Sequence, residues 1–424
     1  MVLAEAALAA LARTDRPAGV LPELLAQTGG DRARVAVYAA SRVSRHVRPS
    51  RLGPLLRDRV APGTGKITSR KEAVRLAAAR LPACEAAGVL AEAYALPGQH
   101  PDVRAACVVF GTELLGDERM WEVMADAATG GRALRTAVLR VGPAELPEAY
   151  RPRYARLVQQ VCATDDEDLA ALAHQALARW VPWAPGACVV LVDALTDLDR
   201  RRGWQSAAVA LTGVASAAPE AAGELNRALR TLATTDTADE AGSERDRPAR
   251  QRIDHLVNLL TARAVTHPET FRAERTAAAD ILAAHRGFVP QAAVLLAHAL
   301  DLDAGPDPLH SALVRLARLH EGRPVLASRT AQTLATRITY AHRNGIGDTD
   351  TLLTVAARLG ATGDTAEGLF AAALTATGGA RTAGGGGGGA PGGGFLTPAR
   401  RPPPPGGGGP RPPPSGCSRT ARSR

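Results

Sequence analysis

One apolar frame recurs along this chain and limits what it can fold into. It is plainest at Pro101-Asp102-Val103-Arg104-Ala105-Ala106-Cys107, where Val103, Ala106, Cys107, Phe110 and Leu114 fall at i, i+3, i+4, i+7 and i+11. That spacing is one face of an α-helix. Pro101 suits the first helical position, where its missing N–H costs nothing, and Asp102 suits the positive end of the dipole. The frame returns at Ala33, Ala36, Val37 and Ala40, at Val74, Ala77, Ala78 and Leu81, and at Leu134, Ala137, Val138 and Val141. It returns again at Leu169, Leu172, Ala173 and Ala176, and at Trp204, Ala207, Ala208 and Leu211. The starting positions 33, 74, 103, 134, 169 and 204 are 41, 29, 31, 35 and 35 residues apart. Irregular repeats of this period, each holding two helices, predict an all-α solenoid of stacked helical hairpins.

A chain of 424 residues is long for one compact core, but a solenoid escapes that limit because each hairpin buries its face against its neighbours. Aromatic residues make up only 3%, and the apolar weight lies on Ala, Leu and Val, a composition suited to closely packed helices. The formal charge of +9 is concentrated at one end. Residues 378–424 hold seven arginines and no acid, which leaves 44 basic and 42 acidic groups elsewhere. A body this close to neutral has no global electrostatic footprint for nucleic acid, and arginines occur on every segment instead of in one patch. Cys84, Cys107, Cys162 and Cys188 fall on predicted helices and Cys417 in the terminal segment, with no Cys-x-x-Cys pair. They read as reduced core thiols of a cytoplasmic protein. The N-terminus lacks a basic region typical of a secretory signal, and apolar runs such as 289–300 fall short of a membrane span.

The first residues read as a helical hairpin, 2–13 and 17–27, and this abrupt start points to an unusual cap or a truncated chain. Further helices are expected in pairs to residue 233, forming an N-terminal solenoid over 1–233. Residues 234–249 are polar and aperiodic, a long surface loop and the best internal boundary. Helices resume over 250–377. Residues 378–424 carry sixteen Gly and ten Pro in homopolymer runs and are expected to be disordered. The abrupt change there fits either a genuine flexible tail or a frame-shifted reading of GC-rich coding sequence.

At Pro101-Asp102-Val103-Arg104-Ala105-Ala106 the sequence resembles HEAT repeats, whose first helices commonly open with an Asp-x-Val-Arg-x-x-Ala-like phrase. The resemblance covers roughly 31–217 and is loosest at Leu169-Ala170 and Trp204-Gln205, where the arginine is missing. The Ala/Arg-rich texture looks like HEAT-type proteins of actinobacteria. The resemblance implies a scaffold that holds another protein or peptide; one HEAT-like branch, the alkylpurine DNA glycosylases, is enzymatic and binds DNA.

Motifs that carry chemistry are few. Ala61-Pro62-Gly63-Thr64-Gly65-Lys66-Ile67-Thr68 looks like a phosphate-binding loop, and Val189-Val190-Leu191-Val192-Asp193 like the strand ending in a magnesium-binding Asp. Val60 stands where the first Gly belongs, Ile67 replaces the Ser/Thr that holds magnesium, and both flanking segments read as helices. No two of the ten histidines lie three or four apart, and no nucleophile motif occurs. Asp165-Asp166-Glu167-Asp168 reads as a helix cap rather than a cation site. Trp204 falls in the core frame, Trp180 extends the Leu169 stripe, and Trp183 sits in a turn, where packing competes with partner contact.

These residues point to a non-catalytic interaction scaffold that needs no cofactor or metal, with a DNA-binding or DNA-repair repeat protein as the alternative. The candidate binding residues are Trp183 and a row formed by Arg34, Arg75, Arg104 and Arg135, each one residue after a frame position. The row either staples neighbouring repeats, with Asp102 as a nearby carboxylate, or stays free for an acidic partner or phosphates.

Overall fold

The computed structural model describes residues 2–235 except 12, 14 and 30–32, residues 247–319 except 263, 265, 266, 268, 303 and 305, and residues 330, 333, 334, 336 and 337. These belong to one compact unit, Met1–Gly379; the second unit, Ala380–Arg424, lies outside the described residues. So do most of the 234–249 loop, most of the helical continuation expected between 320 and 377, and Cys417.

Among the described residues all regular structure is helical. The α-helices are α1 (Val2–Leu11), α2 (Pro17–Ala26), α3 (Ala33–Ser44), α4 (Pro49–Val60), α5 (Ile67–Arg80), α6 (Ala83–Ala95), α7 (Pro101–Gly111), α8 (Glu118–Thr129) and α9 (Arg132–Leu139). They continue as α10 (Arg151–Val161), α11 (Glu167–Trp180), α12 (Ala187–Thr196), α13 (Trp204–Ala215), α14 (Pro219–Thr235), α15 (Pro248–Thr261), α16 (Arg272–Ala283), α17 (Val289–Ala299) and α18 (Pro306–Leu319). Six of them open on proline, where the ring presets φ and no hydrogen bond is lost. Gly186 and Gly203 turn the chain into α12 and α13 with φ of 79° and 81°, a conformation that a Cβ disfavours.

The helices form two layers. From α5 to α17 each odd-numbered helix packs on the next odd one; α4, α6, α8 and α10 do the same, as do α12, α14 and α16. The principal contacts join helices no more than three apart in sequence, as in a solenoid in which each hairpin touches only its neighbours. This is a HEAT-like arrangement. The stack runs across the 234–249 segment, because α15 packs on α13 and α16 on α14.

Between the layers lies a core of Ala, Val and Leu. Val74, Ala77, Val103, Cys107, Val138, Ala173 and Leu211 from the recurring frame are all buried, and small residues let the helix axes approach closely. Two expectations need correction. Leu172 is 46% exposed, because the buried stripe of α11 runs Leu169, Ala170, Ala173, Ala176, Leu177 and Trp180, leaving 172 on the other side. Cys84 is exposed, whereas Cys107, Cys162 and Cys188 are buried.

Candidate interaction surface

The helix C-termini decide where two of the four arginines of the row go. The last carbonyls of each helix lack intrahelical partners and carry the negative end of the dipole. Arg104, fourth residue of α7, reaches back to the Leu96 carbonyl at the end of α6 (3.4 Å) and lies 5.6 Å from the Tyr94 ring centre. Arg135, fourth residue of α9, donates to the Thr129 carbonyl at the end of α8 (3.0 Å) and to Thr164 Oγ1 before α11 (2.7 Å). Both are staples, made to backbone carbonyls and a hydroxyl. Asp102 is not the partner of Arg104; its backbone N–H is instead capped by His100 Nδ1 (3.1 Å).

Arg75 departs from the row. It forms a bidentate pair with Glu72 of its own helix, at 2.8 and 2.6 Å. The equivalent of Arg104 in α5 is Arg70, again the fourth residue, which donates to the Val60 carbonyl (3.3 Å) and to Gln99 Oε1. The apolar frame therefore slips by about one turn in α5, which explains the uneven 41- and 29-residue spacings. Arg34 is exposed and its side chain pairs with no described residue.

The same device recurs beyond the predicted row. Buried Arg252 of α15 donates to Leu195 O (2.6 Å) at the end of α12 and to Arg200 O (2.8 Å). Arg275 donates to Leu260 O and Thr270 O, and Arg337 to Ala297 O and Leu300 O. Burial first, and neighbouring guanidinium groups second, push Arg275 and Arg337 down to about 10, so both stay charged at neutral pH. Arginine serves here because its planar fork spans two carbonyls at once.

Trp183 is half-buried. It meets Trp180 edge-on at 6.2 Å, and the Arg151 guanidinium lies 5.1 Å from its ring centre. It ends an aromatic ladder in which Trp180 stacks on Tyr154 at 5.3 Å and Tyr154 meets Trp121 at 6.5 Å. The packing role accounts for its position.

The remaining motifs resolve into structural roles. Residues 61–66 are a turn between α4 and α5 whose Thr64 Oγ1 donates to Arg59 O and Ala61 O, while Lys66 Nζ donates to Gly29 O (3.2 Å). Val189 to Asp193 lie within α12. Asp166 caps α11 by accepting from Leu169 N and pairs with Arg132 at 2.9 Å. Among the described residues no group of three His, Cys, Asp or Glu side chains is placed to hold a metal ion, and no helix is long and apolar enough to cross a membrane.

What the scaffold leaves facing solvent is a ridge on the odd-numbered helices. The fifth or sixth residue of α3, α5, α7, α9, α11 and α13 is Tyr38, Lys71, Ala105, Thr136, Leu172 and Val209. Tyr38, Leu172 and Val209 are among the most exposed large apolar side chains, at 68%, 46% and 48%. Between α7 and α9 the ridge opens into a groove of about 670 Å³ with Ala105, Val109 and Phe110 on its floor and Lys71, Asp102 and Arg140 at its rim.

No family model and no curated protein sequence matches the chain. Among solved structures it is similar to Kap121p bound to Pho4p, with 14% identity and a TM-score of 0.44 over 85% of this chain and 45% of that one. It is also similar to Kap121p bound to Nup53p (13% identity, TM-score 0.38, 85% of this chain and 49% of that one). An engineered protein matches at 16% identity and a TM-score of 0.36 over 84% of this chain and 98% of that one. The chain thus spans about half the length of the Kap121p chains.

The exposed ridge was visible in the sequence only as apolar residues off the buried stripe. Val209 and Tyr38 could have been found by asking which large side chains the frame leaves out.

Proposed function

We propose that this protein is a cytoplasmic interaction scaffold of the Ala/Arg-rich HEAT type seen in actinobacteria, without catalysis of its own, whose α7–α13 ridge receives another protein or peptide. The observation that carries the reading is the ridge itself. Leu172 and Val209 occupy equivalent exposed positions on adjacent helices α11 and α13, and in the same layer α7 and α9 line a groove of apolar and charged side chains. Such a strip suits an amphipathic partner element, with apolar anchors at the centre and polar contacts at the edge. The polar interior, by contrast, is committed to the scaffold: arginines hold helix ends, and burial pushes the Cys107 and Cys162 thiols up to about 12, leaving them protonated and unreactive.

The test places a photo-activated cross-linking residue at exposed Ala133, beside the groove, and combines it with Leu172→Glu and Val209→Glu. Both substitutions are at exposed positions and should leave the fold intact. A partner captured at 133 and lost in the two variants supports the reading. Retention of that partner at unchanged affinity in both variants overturns it.

A further inference from the structure

The α3 end of the ridge has a different chemistry from the rest. Arg34, Tyr38 and Arg42 follow one another at steps of four residues on one face of α3, Arg45 stands in the turn just past its end, and all four are exposed. Along a helix each step of four is about 6 Å. The face then runs into the turn and the start of α4, where exposed His46, Arg48 and Arg51 line a cavity of about 620 Å³ together with Asp15 and Arg16. Arg80 joins it from α5, its Nη2 3.5 Å from Ser41 Oγ. The side chains of Arg34, Arg42, Arg45, Arg48 and Arg51 pair with no described residue.

The near-neutral body conceals this concentration. Residues 33–80 hold twelve basic and two acidic groups, whereas the remainder of 1–377 holds 32 basic and 40 acidic. The charge is therefore segregated along the stack, contrary to the even distribution expected from the sequence. Guanidinium groups that outnumber the carboxylates around them, here with Asp15 alone lining the shared cavity, are disposed to take up a polyanion. The central Tyr38 distinguishes among polyanions. A run of carboxylates would satisfy the arginines and leave that ring without a role, whereas a nucleic-acid strand supplies phosphates for the arginines and a base to stack on the ring.

We propose that the α3 face and the α3–α4 turn bind single-stranded nucleic acid, with Arg34, Arg42, Arg45, Arg48 and Arg51 on the phosphates and Tyr38 stacked on a base. This activity is separate from the protein-binding reading of α7–α13, and its test uses residues which that reading does not involve.

The experiment titrates the full chain into a fluorescein-labelled mixed-sequence 20-mer, single-stranded DNA and RNA in turn, and follows anisotropy at several salt concentrations. Contact with five phosphates predicts a slope of log affinity on log salt of about −3.5, from about −0.7 per phosphate. Arg42→Ala with Arg45→Ala should weaken binding about tenfold or more and reduce the slope, and Arg48→Ala with Arg51→Ala should do likewise. Tyr38→Ala should cost about fivefold or more and Tyr38→Trp should restore it. All variants keep residues 378–424, so the seven arginines there contribute equally throughout, and each variant's melting curve is compared with that of the parent. Parental affinity in both arginine pairs overturns the proposal. So does displacement of the oligonucleotide by polyglutamate of matched charge together with indifference to Tyr38→Ala, a result that assigns the face to an acidic protein segment.

Discussion

Replacing Arg252 by methionine tests most sharply the idea that arginines hold the helix ends. The side chain is 1% exposed, donates to Leu195 O at 2.6 Å and Arg200 O at 2.8 Å, and lies 5.4 Å from the Trp204 ring centre. Methionine preserves most of the stem's volume and removes both hydrogen bonds. Each charge-assisted bond is worth about 1.5–3 kcal/mol, and relief from burying a guanidinium offsets roughly half of the pair. A net loss of about 1.5–3 kcal/mol follows. In a solenoid that loss falls on the units in contact, so amides of residues 195–204 should exchange about 10- to 140-fold faster by hydrogen-exchange mass spectrometry. Arg252→Lys, which presents a point charge in place of a fork, should fall between the two. Unchanged exchange of 195–204 in a folded Arg252→Met protein would refute the reasoning.

Other outcomes follow from the same geometry. Arg104→Ala should lower the denaturation midpoint by an amount equivalent to about 1 kcal/mol, since it loses one long hydrogen bond and its place over Tyr94, while Arg34→Ala should change stability by less than about 0.5 kcal/mol. Under native conditions an alkylating reagent should label exposed Cys84 alone among the described cysteines, with Cys107 and Cys162 labelled only after denaturation, as mass spectrometry of the peptides will show. His298 is held down to about 4 by burial and by Arg337 and Arg275, against 6.5 in the unfolded chain. The unfolded state therefore takes up that proton first, and stability should fall as pH drops from 6.5 to 4; His298→Gln should flatten this part of the urea-midpoint profile.

Much of the fold was legible because proline and the apolar stripe mark helices locally. Pro49, Pro101 and Pro219 open helices where they stand, and the expected helix 17–27 matches α2 to within a residue. What the stripe does not encode is register between repeats. In α5, Val74 and Arg70 compete to define the repeat, and only the position of the Val60 carbonyl selects Arg70. Arginine's role was equally hidden. Arg34, Arg104 and Arg252 look alike in sequence, yet one faces solvent, one caps a neighbouring helix from a half-buried position, and one is enclosed. Trp183 differs again, because its half-buried state depends on Trp180 and Arg151, which come from separate elements.

The central claim is that this chain is a stack whose units depend on their neighbours alone, and a fragment ending at residue 235 tests it directly. Hydrogen exchange should show α4–α10 protected as in the full chain, with faster exchange confined to α11–α14, where the contacts of α13 with α15, of α14 with α16 and of Arg252 with Leu195 have been removed. Loss of protection throughout α4–α14 would contradict the account, because it would mean one cooperative core in place of a row of stapled hairpins.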